Sequence, residues 1–257
     1  MPTENDSNLT DDTQQPSPQS VYDSIRQALI DNSDVEAIPA IQRFFKEETR
    51  FYGMKTAVAN KIGRQHLAMT KKLKFTKQQV FELCDYLWAS GYQEEALIAC
   101  LFSESQVKNY QAEDLDVFER WLTTRVSNWA MCDTLCNHTV GDLLMMYPET
   151  ASRLLVWAGS TNRWVKRAAG VSLIVPARKG LFLSLCFEIA DSLLTDTDDL
   201  VQKGYGWMLK AVAESGDDGQ QSVFDYVMRN KAVMPRTALR YAIEKMPAEL
   251  KQQAMAR

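Results

Sequence analysis

The chain has 257 residues, 46% hydrophobic and 24% charged, with a formal net charge of −4. That is an ordinary balance for a globular chain with a sizeable core, and only 11 glycines and 8 prolines argue against a turn-rich β protein. No apolar run reaches the length of a membrane span and no charged-then-apolar leader opens the chain, so a membrane protein is not expected.

Residues 1–20, MPTENDSNLTDDTQQPSPQS, hold Glu4, Asp6, Asp11 and Asp12 and no Lys or Arg. So few hydrophobes cannot offset ordering entropy, so this segment reads as a disordered acidic tail. Residues 21–257 read as a single domain. Without the tail its acidic residues equal its 29 basic ones, and a neutral domain can still carry a basic face. From Val21 on, apolar residues recur at three and four, as in Val80, Leu83, Cys84, Leu87 and Trp88, or Val223, Phe224 and Val227. Breaks fall near Gly53, Lys71–Lys77, Gly91, Pro148, Gly159, Gly180, Thr195–Asp199, Ser215–Gly219, Pro235 and Pro247. The spacing predicts about a dozen helices of roughly ten to eighteen residues. The one β-branched run, GVSLIV (Gly170–Val175), continues the helix begun at Asn162. A helix, short turn, helix unit recurs at roughly forty residues, which favours a HEAT-like stacked array over a bundle.

Few chemical motifs are present. There is no GxxxxGK or GxGxxG phosphate loop and no GxSxG elbow, and KGYG (Lys203–Gly206) lies mid-helix. The only two histidines, His66 and His138, are far apart in sequence and support no triad. The five cysteines sit in apolar helical contexts, as reduced thiols of a cytoplasmic protein do. Cys132, Cys136 and His138 lack a second ligand pair, so they read as core packing rather than a zinc site. No metal or cofactor is expected. Trp129 and Asp133 lie one turn apart at the edge of the stripe Met131, Cys132, Leu135 and Thr139. Such an acid either hydrogen-bonds a neighbouring helix or faces a groove.

Five segments resemble AlkD-type DNA alkylation repair proteins, in that family's order and spacing: FYGMKTA (Phe51–Ala57), NWAMCDTLCNHTVGDLLMMYPE (Asn128–Glu149), NRWVKRAAGVSL (Asn162–Leu173), LVQKGYGWMLKAVAE (Leu200–Glu214) and MPRTALRYAIEKM (Met234–Met246). The resemblance covers about Val21 to Met246. It implies an all-α, HEAT-like helical repeat solenoid with a concave, DNA-sized face. It further implies a glycosylase that removes N3- and N7-alkylated purines. Asp133 matches the catalytic aspartate, Trp129 the indole before it, Trp207 a second indole, and Arg167 an arginine at the DNA backbone. Asn128 and Ala130 depart from the family's best-known members, which carry a tryptophan and an acid at those positions.

The implied chemistry is self-consistent. A cationic alkylated purine already has a weakened glycosidic bond, so a carboxylate beside the developing oxocarbenium, holding a water, suffices. Indole faces can border that cation. On this reading Asp133 is an ionised, unpaired or loosely paired carboxylate in the groove. Arg163, Lys166 and Arg167, Lys203 and Lys210, and Arg236 and Arg240 form three clusters that either meet phosphates or lie in solvent. The basic turn KKLKFTK (Lys71–Lys77) reads as a solvated loop first and a phosphate contact second. The expected partner is double-stranded DNA with alkylated bases, met by a monomer. The alternative is a non-catalytic HEAT-like protein that binds DNA structures or a protein partner.

Overall fold

A computed structural model describes residues 16–256. The helices are α1 (Pro18–Asp31), α2 (Ile38–Gln42), α3 (Thr56–Lys72), α4 (Lys77–Ala89), α5 (Gln93–Glu104), α6 (Asp114–Thr124), α7 (Trp129–Thr134), α8 (Gly141–Met146), α9 (Arg153–Ala158), α10 (Arg163–Val171), α11 (Ile174–Arg178), α12 (Leu183–Ser192), α13 (Asp199–Ala213), α14 (Asp217–Asn230), α15 (Arg236–Ala242) and α16 (Ala248–Met255). The only β pairing among the described residues is an isolated bridge between Arg50 and Tyr92. No helix among them is long and apolar enough to cross a membrane. The fold is an all-α helical repeat.

Most of the expected acidic tail, residues 1–15, lies outside the described residues. The boundary drawn at Val21 falls inside α1. Ser17 caps that helix by accepting from the Ser20 amide, and Pro18 supplies a preset first-turn φ, so the ordered chain starts earlier than hydropathy indicates.

The repeat is written in hydrogen bonds between successive units. Arg120 reaches Asp85 across 35 residues, Arg153 reaches Glu119 across 34, Arg167 reaches Asp133 across 34, Arg178 reaches Glu214 across 36, and Lys210 reaches Glu244 across 34. The repeat length is therefore nearer 35 than the forty the breaks indicated. The turns are tighter than the polar stretches in the sequence imply.

Several helices are shorter than expected. GVSLIV is helical as read, but a turn at Ser172–Leu173 divides it between α10 and α11. The segment from Trp129 to Met146 is helical throughout, yet Leu135–Val140 winds as a π-helix between α7 and α8. The extra residue in that turn lets Leu135, Cys136, Thr139 and Val140 all face the core, where the Thr139 and Ser103 hydroxyls meet at 2.9 Å. The core runs unbroken along the stack through Trp88, Phe102, Phe118, Trp121, Trp157 and Tyr205, all fully buried.

α13 packs tightly between α10 and α15, and its two glycines permit this. A Cβ on Gly206 would sit 2.7 Å from the Ala238 carbonyl oxygen and 2.8 Å from Tyr241 Cβ. A Cβ on Gly204 would press on the Arg167 side chain at 3.2 Å. KGYG is thus a close-approach motif between helices. Gly206→Ala is expected to destabilise the fold by about 1–3 kcal/mol through overpacking, more than the helix-propensity gain returns. A thermal melt at or above the parent's midpoint would refute that account of the contact.

Candidate active site and nucleic-acid interface

The helices that carry the expected site begin with asparagine or aspartate caps. Asn128 accepts from the Met131 amide at 3.0 Å to start α7, and its own amide donates to Gln93 Oε1 at 2.8 Å. Asn128 is fully buried in this role. Asn162 accepts from the Trp164 amide at 2.9 Å to start α10, and Asp198 accepts from the Leu200 amide at 2.9 Å to start α13. Each cap satisfies an otherwise free N–H and fixes where the next side chains project.

Those helices bring Trp129, Asp133, Arg167, Lys203, Trp207 and Lys210 to the wall of one hollow of about 470 Å³. The edge position of Trp129 and Asp133 read from the helical wheel is where the fold places them, both half-buried beside the buried stripe. Trp207 faces the same hollow from α13, two repeats on.

The state of Asp133 differs from the expectation. Its carboxylate is not loosely paired: Arg167 Nε donates to Oδ1 and Nη2 to Oδ2, both at 2.8 Å. Arg167 Nη1 donates to the Leu200 carbonyl. The two side chains are 13% and 6% exposed, so this is a buried bidentate pair at the floor of the hollow. Burial pushes the Asp133 carboxyl above the ordinary aspartate range, and the hydrogen bonds and charge of Arg167 pull it back. The guanidinium is in turn held above its ordinary value by Asp133, against its own burial. Protonating either carboxylate oxygen would forfeit one arm of the fork, so the pair stays ionic at neutral pH. Arg167 is accordingly no outstretched phosphate contact. Three of its N–H groups are spent inside the fold, because a guanidinium 34 residues on lands one repeat away, directly against α7.

Most of the other expected cations also have partners. Arg163 binds Asp198 and, at 3.0 Å, Glu47. Lys166 binds Asp196, Lys203 binds Asp199 at 3.2 Å, and Lys210 binds Glu244 at 2.8 Å. Arg236 and Arg240 do not join this hollow. They line a separate one with Lys231 beside α16, where Arg236 Nη2 donates to the Met255 carbonyl at 3.3 Å. Of the expected basic groups, Lys203 and Lys210 line the carboxylate hollow beside Arg167.

Cys132 and Cys136 are fully buried, and the Cys132 thiol donates to the Trp164 carbonyl at 3.5 Å. His138 is exposed, 3.9 Å from Glu104.

One part of the site went unread in the sequence. Residues 43–49, after α2, cross over α7 as a strap that closes the hollow with Phe44, Lys46 and Glu47. Trp129 Nε1 donates to the Phe44 carbonyl at 3.2 Å, and the Phe45 ring stacks on the indole at 5.4 Å and 16°. One face of Trp129 is therefore taken by Phe45, which leaves a single indole face for a ligand on this side. Lys46 reaches Asp199 across 153 residues at 3.0 Å. Behind the strap lies a second, mainly apolar hollow of about 610 Å³ that shares Phe44 and Trp129 with the first. The only sequence signal was the run RFFKEETRFYG (Arg43–Gly53), whose adjacent aromatics fit neither helix nor strand periodicity.

The strap's ion pairs set its pH range. The hydrogen bond from Lys46 is the main cause that holds Asp199 below the usual carboxylate range. Burial would raise Asp198, but hydrogen bonds from Arg163 and the Leu200 amide outweigh it and hold Asp198 low as well. Carboxyls depressed on folding stabilise above their unfolded value and lose that stabilisation as the pH falls through the folded one. The strap should therefore hold from neutrality down to about pH 4 and release below it. Trp129 fluorescence, taken as the difference from Trp129→Phe, reads this. Release complete by about pH 6 would instead assign the transition to a histidine.

Residues 25–246 match the model of a family described as DNA alkylation repair enzyme. Among solved structures, the fold is similar to "Predicted DNA alkylation repair enzyme from Enterococcus faecalis", with a TM-score of 0.73 and 15% identity, over 84% of this chain and 98% of that one. At that identity the likeness concerns the fold. No curated protein matches the sequence. With the family model spanning most of the chain and the helical repeat shared, this chain belongs to the DNA alkylation repair enzyme family.

Proposed function

We propose that the protein is a DNA glycosylase that hydrolyses the N-glycosidic bond of N3- and N7-alkylated purines in duplex DNA, as a monomer and without metal or cofactor. The observation that carries this reading is the Asp133 carboxylate, buried yet turned to a hollow that also presents Trp129, Trp207, Lys203 and Lys210. Its two oxygens spend one lone pair each on Arg167 and keep the others for the hollow. Departure of a cationic purine leaves positive charge on the sugar. A fixed carboxylate stabilises that charge without reorganising and can hold the attacking water. Arg167 acts as the brace that orients it. The free face of Trp129 and the indole of Trp207 favour a cation between them. Lys203 and Lys210 supply positive potential for the backbone, and Arg163, Lys166 and Arg236 become phosphate contacts only by exchanging their present partners, whereas Arg240 lies apart from this hollow.

A second reading, a non-catalytic protein that binds DNA structures or a protein partner, is favoured by the same bidentate pair. A carboxylate with both oxygens satisfied is what a structural acid looks like. Incubation with duplex DNA containing 7-methylguanine separates the two readings. Release of free 7-methylguanine above the spontaneous rate is expected, and its absence leaves the binding reading.

A further inference from the structure

We infer that Phe44 is a wedge that enters the base stack of duplex DNA beside the nucleotide facing Asp133. The inference rests on the proposed reading in taking duplex DNA as the occupant of the hollow. Phe44 is 77% exposed, more than any other large apolar residue described. A loop free to move would fold such a ring inward. This one is held on every side except the ring itself. The Phe44 amide donates to the Ile41 carbonyl at 3.1 Å, and its carbonyl accepts from Trp129. The next ring, Phe45, is clasped between Phe51 at 5.2 Å and Trp129 at 5.4 Å. The Gln42 amide group donates to the carbonyls of Phe45 and Glu47 at 3.2 and 2.8 Å and accepts from the Thr49 amide at 3.2 Å. Lys46 and Glu47 are then pinned to α13 and α10 by Asp199 and Arg163. The fold thus keeps a bare aromatic ring fixed at the lip between the two hollows.

The surroundings select the occupant. Arg43 and Lys46, beside Phe44 and Phe45 in the chain, are exposed and basic, and Lys203 and Lys210 line the hollow that Phe44 shares with Asp133. Positive charge on the Asp133 side of the ring favours a polyanion over an apolar protein patch, whose core would be depleted of such charges. A base step offers flat apolar faces bordered by phosphates, and an inserted side chain replaces the stacking it breaks. A ring at this lip would open the duplex beside the lesion and turn the glycosidic bond toward the carboxylate without a deep base pocket.

The test uses the full chain and a duplex holding a tetrahydrofuran abasic analogue next to 2-aminopurine, whose fluorescence rises when it unstacks. The parent should raise the signal on binding. Phe44→Ala should lose most of that rise while keeping the parent's melting temperature, since the residue is 77% exposed. Phe44→Trp should retain the rise. Equal rises for the parent and Phe44→Ala overturn the wedge and leave base release untouched. A parent dimer, seen in sedimentation and lost in Phe44→Ala, assigns the ring to self-association and also overturns it. A parent with no salt-dependent affinity for the duplex removes the wedge and the DNA reading together. A parent that gives the rise but frees no 7-methylguanine supports the wedge and removes only the glycosylase reading.

Discussion

Asp133→Asn is expected to lower the rate of 7-methylguanine release by about a hundredfold or more, the usual loss when a preorganised electrostatic stabiliser is removed. The amide keeps the shape of the carboxylate but turns one acceptor into a donor facing Arg167 Nη2. The substitution therefore does more than erase charge at the sugar. It also leaves a guanidinium only 6% exposed without its counter-charge, so some stability is lost too. The bidentate pair thus stands where the sequence led us to expect an unpaired or loosely paired carboxylate. Rate and stability separate in the double variant Asp133→Asn, Arg167→Gln. Two neutral side chains relieve the uncompensated charge, so the melting temperature should recover toward the parent's while base release stays lost. If the folded single variant frees 7-methylguanine at the parent's rate, Asp133 is a structural acid only.

Arg167→Ala is expected to be the most destabilising single substitution at the site. Removing one partner of a buried ion pair costs about 3–5 kcal/mol, because the other charge stays behind in low dielectric. For a chain of this size that corresponds to a fall of roughly 6–20 °C in melting temperature. The Leu200 carbonyl loses its donor as well. Arg167→Lys should fall between, since a single ammonium cannot span both carboxylate oxygens. The salt dependence of duplex binding, measured where the variant is folded, should match the parent's. A drop in salt slope of about one, with the melting temperature unchanged, would mean that Arg167 meets a phosphate after all.

The sequence by itself determined the features that depend on neighbours within a turn or two. The periodicity of Val80–Trp88 and Val223–Val227, the scarcity of glycine and proline, and the recurrence of helix pairs were enough for an all-α repeat. The edge placement of Trp129 and Asp133 followed from a helical wheel because only one turn separates them, and the π turn that would have spoiled the wheel begins after Asp133. The ordered motifs around Asp133, Arg167 and Trp207 belong to segments that meet at one hollow. What only the tertiary structure decided lies across the stack. The length of each repeat depends on turn conformations that polar residues leave open. The partner of Asp133 is 34 residues away, and the brace on Trp129 comes from Phe44, 85 residues back. A cation in a sequence carries no sign of whether an acid one repeat on will claim it, so Arg163, Lys166 and Arg167 read alike although only Arg167 is buried. Phe44 and Phe45 likewise read as a pair, and only the path of the strap sends one ring onto Trp129 and leaves the other in solvent. Pairing and exposure of these groups depend on the register of stacked helices, a long-range property set by packing at sites such as Gly204 and Gly206 and by no local pattern around the residues themselves.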